Sequence, residues 1–163
     1  MIFVTVGTSS WDFTRLIKEM DRIAGKIDEE VIMQISHIEY EPKNTKYFRF
    51  TSKEEIARLY ETARVVVSHA GVGCIISALK HNKPNIVVPR RKEYSEHFDD
   101  HQLGIAKELE KERKVKVVWD IEKLEEILNS ANDDSITVKK DRRLVSALRD
   151  YINNLEKSKK GEV

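Results

Sequence analysis

Short runs of β-branched residues alternate along this chain with longer segments of helical periodicity. Val65-Val66-Val67 is the purest run, and Ile2 to Val6, Val31 to Ile35, Asn85 to Val88 and Val115 to Val118 share its character. Such runs are too short for helices and apolar on both faces, as a strand buried on both sides must be. Tyr47 to Phe50 adds a further candidate strand. Between the runs, Phe13, Leu16, Ile17, Met20 and Ile23 recur at helical spacing up to Gly25. Ser52 with Glu55 makes a capping-box pattern before Ile56, Leu59 and Tyr60. Gly71 to Lys80 reads as a loop passing into a helix, His97 to Lys111 as a helix, and Ile121, Leu124, Ile127 and Leu128 as one more. Parallel strands need crossovers, and helices supply them. The expectation is therefore an α/β, doubly wound parallel sheet of Rossmann-like type with right-handed crossovers.

The 163 residues suit one domain, placed at 1–130. Ser130 to Thr137 is polar and reads as a linker. Beyond it, Leu144, Leu148, Tyr151, Ile152 and Leu155 repeat at helical spacing. Residues 131–163 are thus a linker and an amphipathic helix, which either docks a partner or packs on its own domain. A net charge of +1 gives no global attraction for nucleic acid or acidic lipid. Cys74 is the only cysteine, so no internal disulfide forms and a reducing compartment is expected. No apolar run approaches the roughly 20 residues of a membrane span, and Met1 to Gly7 lacks the flanks of a signal peptide.

Ligands of open α/β sheets bind beyond the carboxyl ends of the strands. Three polar segments are expected there. Gly7-Thr8-Ser9-Ser10 follows the first strand. It reads either as a phosphate grip at a helix N-terminus or as an ordinary turn capped by Ser10 or Asp12. It lacks the glycines and lysine of a P-loop or a dinucleotide fingerprint. Ser68-His69-Ala70-Gly71-Val72-Gly73-Cys74 follows a buried strand and opens a helix. Its two glycines permit a tight turn with exposed N–H groups, suited to a diphosphate. His69 is either a ligand to a phosphate or sugar oxygen or a satisfied structural histidine. Cys74 reads as a small buried residue rather than as half of a nucleophilic pair. His97-Phe98-Asp99-Asp100-His101-Gln102 is the third segment, preceded by Arg90 and Arg91. His97 and His101 would share a helix face. A metal site, a sugar-binding edge and a plain charged helix start are all open on spacing.

Taken in order, Met1-Ile2-Phe3-Val4-Thr5-Val6-Gly7-Thr8, Ser68 to Gly73, Lys83-Pro84 with Val87-Val88-Pro89-Arg90, and Asp100-His101-Gln102 resemble the C-terminal domain of glycosyltransferase family 28. The likeness is to its two-chain type, which includes UDP-N-acetylglucosamine transferases acting on a lipid-linked sugar and exopolysaccharide transferases. The resemblance implies half of a GT-B enzyme, the donor-binding subunit of an inverting transferase. It would move a sugar, N-acetylglucosamine by likeness, from a UDP-sugar to a lipid-linked acceptor. A membrane-anchored partner would bind the acceptor and supply the general base, and this chain would sit in the cytoplasm, peripheral to the membrane through that partner. No metal or other cofactor is implied. The donor-binding residues implied are Gly7 and Thr8 near the diphosphate, Ser68, His69, Ala70, Gly71 and Gly73 around it, and Asp100, His101 and Gln102 on the sugar. Arg90 joins them as a possible countercharge. One departure stands out. Where many relatives carry an acidic residue facing the ribose, this chain has Ser77, which lacks a carboxylate's charge-assisted bonds. Two other classes compete, a non-catalytic nucleotide-sugar-binding regulatory module and an epimerase, for which the chain is too short.

Overall fold

A computed structural model describes residues 1–131. The expected linker from residue 132 on and the final amphipathic helix lie outside the described residues, whereas Ser130, expected to open the linker, ends a helix instead. Strand β1 spans Ile2–Thr5, β2 Val31–Gln34, β3 Lys46–Phe48, β4 Val65–His69, β5 Asn85–Val88 and β6 Lys116–Val117. Helix α1 spans Thr14–Ala24, α2 Lys53–Thr62, α3 Val72–Lys80, α4 His101–Lys111 and α5 Leu124–Ser130. The six strands form one sheet in the order β3-β2-β1-β4-β5-β6, and every pairing is parallel. That order is the doubly wound one, with its reversal between β1 and β4. The α/β class and the Rossmann-like winding expected from the alternation are what the chain adopts.

Register explains why β1, β2 and β4 are apolar on both faces up to their polar carboxyl ends. Ile2 pairs with Val31 on one side and Val65 on the other, and Thr5 with Gln34 and Ser68. Alternate residues of β1 point to opposite faces. Ile2 and Val4 join Leu16, Ile17, Met20 and Ile23 of α1 and Leu124 and Leu128 of α5. Phe3 faces the other way, onto Leu59, Tyr60, Ala63, Val66 and Ala78. Its ring meets that of Tyr60 edge-on at 5.2 Å. Helices α3 and α4 extend this second face over Val87 and Val117. Truncating a ring as enclosed as Phe3 to alanine costs about 3–5 kcal/mol.

One helix start differs clearly from the expected one, and its cause is local. The helix expected from His97 begins at His101. The Asp99 carboxylate accepts from the His101 backbone N–H at 3.2 Å and pairs with the His97 ring at 2.9 Å. This local side-chain turn displaces the first helical turn. His97 and His101 therefore do not share a helix face; Asp99 lies between them. At α2, Ser52 Oγ accepts from the Glu55 N–H as expected, but the Glu55 carboxylate turns to Arg58. The edge strands are shorter than their apolar runs, β3 beginning at Lys46 and ending at Phe48, and β6 holding only two residues.

Candidate functional site

A cavity of about 400 Å³ opens at the carboxyl ends of β1 and β4, where the strand order reverses. Gly7, Thr8 and Ser9 form one wall, and His69, Gly71, Gly73, Cys74 and Ser77 another. Thr5, Gln34, Ile56 and Tyr60 close the remaining sides.

His69 fixes the shape of the cavity. It ends β4 with its imidazole wedged between the two loops. A Cβ on Gly71 would lie 2.0 Å from His69 Nε2, and one on Gly7 2.8 Å from Cε1. Both glycines are needed by the ring before any ligand is considered. Gly7 also has φ +72°, a left-handed conformation that suits glycine. Gly73 differs, since a Cβ there would meet nothing within 4 Å. Burial first, and then the nearby charge of Arg90, push the His69 pKa down to about 3, against a Thr5 carbonyl that favours the protonated ring. The imidazole is therefore neutral at physiological pH. Its Nδ1 is buried with no hydrogen-bond partner of good geometry among the described residues.

The start of α3 is open. Gly71 is its N-cap and no side chain among the described residues caps it. The N–H groups of Cys74 and Ile75 reach back to the Gly71 carbonyl. Those of Val72 and Gly73 find no acceptor among the described residues. Two free N–H groups at the positive end of a helix beside an uncharged wall suit an anion. The first loop places no helix start on the cavity wall. Helix α1 begins only at Thr14, whose N–H donates to the Asp12 carboxylate at 3.1 Å. Gly7 to Ser9 thus shapes a wall of the cavity without being a helix N-terminus. Asp12 accepts from the first helical N–H there, one residue before the N-cap Phe13, which itself makes no side-chain cap bond.

The family of the chain follows from comparison with known proteins. A model of the glycosyltransferase family 28 C-terminal domain matches residues 1–155. The chain belongs to this family. Among curated proteins, the UDP-N-acetylglucosamine transferase subunit ALG13 of Homo sapiens is 32% identical over 120 residues, covering 68% of this chain and 10% of that protein. The ALG13 subunit of Candida albicans is 35% identical over 104 residues, covering 64% and 32%. The chain thus spans between a tenth and a third of the length of these relatives. Among solved structures, the calicheamicin glycosyltransferase CalG4 superposes with a TM-score of 0.64 at 15% identity, over 99% of this chain and 42% of that one. An ALG13 solution structure superposes at 0.56 with 20% identity, over 83% and 86%. The fold is that of one half of a GT-B glycosyltransferase.

Six residues that the family 28 resemblance implies for the donor line this one cavity: Gly7, Thr8, His69, Gly71, Gly73 and Ser77. The others lie off its wall. Ser68 is enclosed in the sheet and its Oγ donates to Asn85 Oδ1 at 3.0 Å. Ala70 packs with Ile75 and Val87. Arg90 is 1% exposed. Its Nη2 donates to the carbonyls of Val6 and Trp11, at 3.3 and 3.2 Å, and its guanidinium lies over the Phe13 ring. It braces the loop that carries Gly7 and Thr8, and its charge reaches the cavity through His69. Gln102 Oε1 accepts from the Arg90 backbone N–H at 3.1 Å. Asp100 accepts from the Lys92 N–H, and His101 is exposed and paired with Asp99. These three stand at the start of α4, beyond the end of β5. Arg15 and Glu96 hold the same loop to α1 through two bonds of 2.8 and 2.9 Å.

Ser77 Oγ donates to the Gly73 carbonyl at 2.8 Å, which leaves its lone pairs for a ligand. Burial raises the pKa of the Cys74 thiol, in keeping with an inert half-buried residue. Thr5, Gln34, Ile56 and Tyr60 carried no site signal in sequence, because each reads as part of a strand or helix stripe. Among the described residues, no three His, Cys, Asp or Glu side chains converge as metal ligands. No helix among them is long and apolar enough to cross a membrane.

Proposed function

We propose that this chain is the donor-binding subunit of an inverting glycosyltransferase, moving N-acetylglucosamine from its UDP-linked form to a lipid-linked acceptor. The observation that carries this reading is the uncapped start of α3, opening into the cavity between β1 and β4. Family membership and the likeness to UDP-N-acetylglucosamine transferase subunits supply the chemistry. The donor diphosphate sits against the N–H groups of Val72 and Gly73. An acceptor hydroxyl oxygen attacks the anomeric carbon as the bond from that carbon to the diphosphate oxygen breaks. The hydroxyl proton passes to a base and UDP leaves with an added negative charge. Preorganised N–H groups stabilise that charge as it develops, and Arg90 adds a positive field from behind His69. The sugar extends from the diphosphate toward Asp100, His101 and Gln102 at the start of α4.

The acceptor and the base belong to a partner subunit anchored in the membrane, which holds this chain at the cytoplasmic surface. The experiment is transfer of labelled N-acetylglucosamine to lipid by the co-expressed pair. Label in the lipid fraction with the pair, and none with either chain alone, is expected. A pair that binds the UDP-sugar tightly and never transfers it refutes the enzymatic reading.

A further inference from the structure

Gln34 ends β2 with its side chain on the cavity wall, only 6% exposed. Its amide has a fixed direction, set by a short relay. The Gly7 N–H donates to Thr5 Oγ1 at 3.2 Å. Thr5 Oγ1 lies 2.6 Å from the amide atom of Gln34 that faces it. That distance is usual for O–H···O and short for N–H···O. The amide oxygen therefore faces Thr5 and accepts its proton. The only competing neighbour for that proton among the described residues is Cys74 Sγ, at 3.9 Å. With the oxygen so held, the Gln34 NH2 group turns into the cavity. No acceptor among the described residues reaches it.

The distance from the open start of α3 limits what this donor can touch. Strands β2 and β4 flank β1, so their ends lie two strand spacings apart, roughly 10 Å. A diphosphate bound at α3 keeps its phosphates at the β4 end. The nucleoside attached to it reaches the β2 end. Ile56 and Tyr60 add an apolar and aromatic lining to the same cavity, as a nucleoside needs.

We propose that Gln34 reads the nucleoside. Its amide NH2, aimed by Thr5 and Gly7, donates to an oxygen of the ribose or of the base. This rests on the reading of the cavity as a nucleoside diphosphate site. Gln34 is a specificity residue that touches the ligand, and Thr5 positions it.

The test is binding to the full chain by calorimetric titration, with inorganic pyrophosphate measured by competition. Gln34→Met keeps the length and removes the donor. It is expected to weaken UDP about tenfold and leave pyrophosphate within about twofold. Thr5→Val, which frees the amide to rotate, is expected to weaken UDP about threefold by the same rule. Two analogues then locate the oxygen. If 2′-deoxy-UDP binds wild type about tenfold worse than UDP and the Gln34→Met variant equally, the contact is to the ribose. If CDP behaves so, the contact is to the base carbonyl that CDP replaces with an amine. Gln34→Met binding UDP as wild type does, or losing UDP and pyrophosphate alike, overturns the assignment of Gln34 alone. Wild type that binds pyrophosphate but gains nothing from uridine also overturns it. Wild type that binds neither overturns the donor-site reading with it.

Discussion

The loop after β1 and the loop after β4 leave neighbouring parallel strands and reach the same cavity, yet they treat the helix that follows in opposite ways. After β1 the chain runs from Val6 to Phe13 before α1 begins, and Asp12 takes the Thr14 N–H. After β4 only Ala70 and Gly71 intervene, and α3 begins with no cap. Both segments look alike in sequence, as glycine beside hydroxyl or small residues at the end of an apolar run. What separates them is the acceptor for the first helical N–H groups. In one loop the chain supplies a carboxylate, which repels an anion. In the other it leaves the groups to a ligand. The two loops meet at His69, whose ring fills the gap between Gly7 and Gly71.

The largest effect that sharpens this comparison is expected at Gly71. A methyl group there would overlap His69 Nε2, at 2.0 Å. Gly71→Ala should destabilise the domain by about 3 kcal/mol, the upper end of overpacking in a core, and abolish UDP binding. Urea unfolding measures the first and titration the second. Gly73→Ala is the control two residues on. Beyond its own helix turn, its Cβ meets no atom of the described residues within 4 Å, and alanine is the better helix former by about 0.5–1 kcal/mol. Stability should hold or rise, while UDP affinity falls because the new methyl stands where a phosphate approaches. Equal loss of stability in both variants would break the distinction between a glycine kept for His69 and one kept for a ligand.

A second effect separates the buried polar groups of the two sides by pH. On the β1–β2 side, Asp21 accepts from the Tyr40 hydroxyl at 2.7 Å and from the Lys43 and Asn44 N–H groups at 3.0 and 2.7 Å. Burial raises its pKa, but these bonds outweigh that and hold it below the usual 3.8. On the other side His69 is lowered to about 3 from 6.5. Each group binds fewer protons folded than unfolded, so each adds stability that is lost as pH falls. The windows differ. The His69 contribution declines between about pH 6.5 and 3, whereas that of Asp21 is lost only below about 3.8. Melting temperatures of wild type and His69→Gln between pH 7 and 4.5 test this. The wild type should lose stability over that range more steeply than the variant. Parallel curves would mean that His69 is not held neutral in the folded state.

How much of this was legible in the sequence follows a physical line. Strands such as Ile2–Thr5 and Val65–His69 are buried on both faces, and their composition alone announces them. The cavity residues Gly7, Thr8, His69, Gly71, Gly73 and Ser77 sit in loops or at a helix start where polar groups stand out. Thr5, Gln34 and Tyr60 stay hidden because their place in the site depends on which strands are neighbours. Gln34 faces Thr5 only because β2 pairs with β1. The start of α4 was misplaced, and the bond at the start of α1 left open between Ser10 and Asp12, for a different reason. Asp12 and Asp99 each offer a side-chain oxygen to the backbone N–H two residues on, and hydrophobic periodicity carries no trace of that bond.

The smallest expected effect bears most directly on the contrast between the capped and open loops. Asp12 accepts from the Thr14 N–H and from its hydroxyl, at 3.1 and 2.7 Å, both exposed. Loss of such a cap costs about 1 kcal/mol. Asp12→Ala should lower the unfolding midpoint by that amount and leave UDP affinity unchanged within about twofold, since one exposed charge beside a separate wall contributes little through water. It should also free the Thr14 N–H, but at a helix start that stands off the cavity wall. A loss of UDP binding on this substitution would show that the capped loop contributes its helix end to the donor after all. The open start of α3 would then be only one of two anchors for the diphosphate.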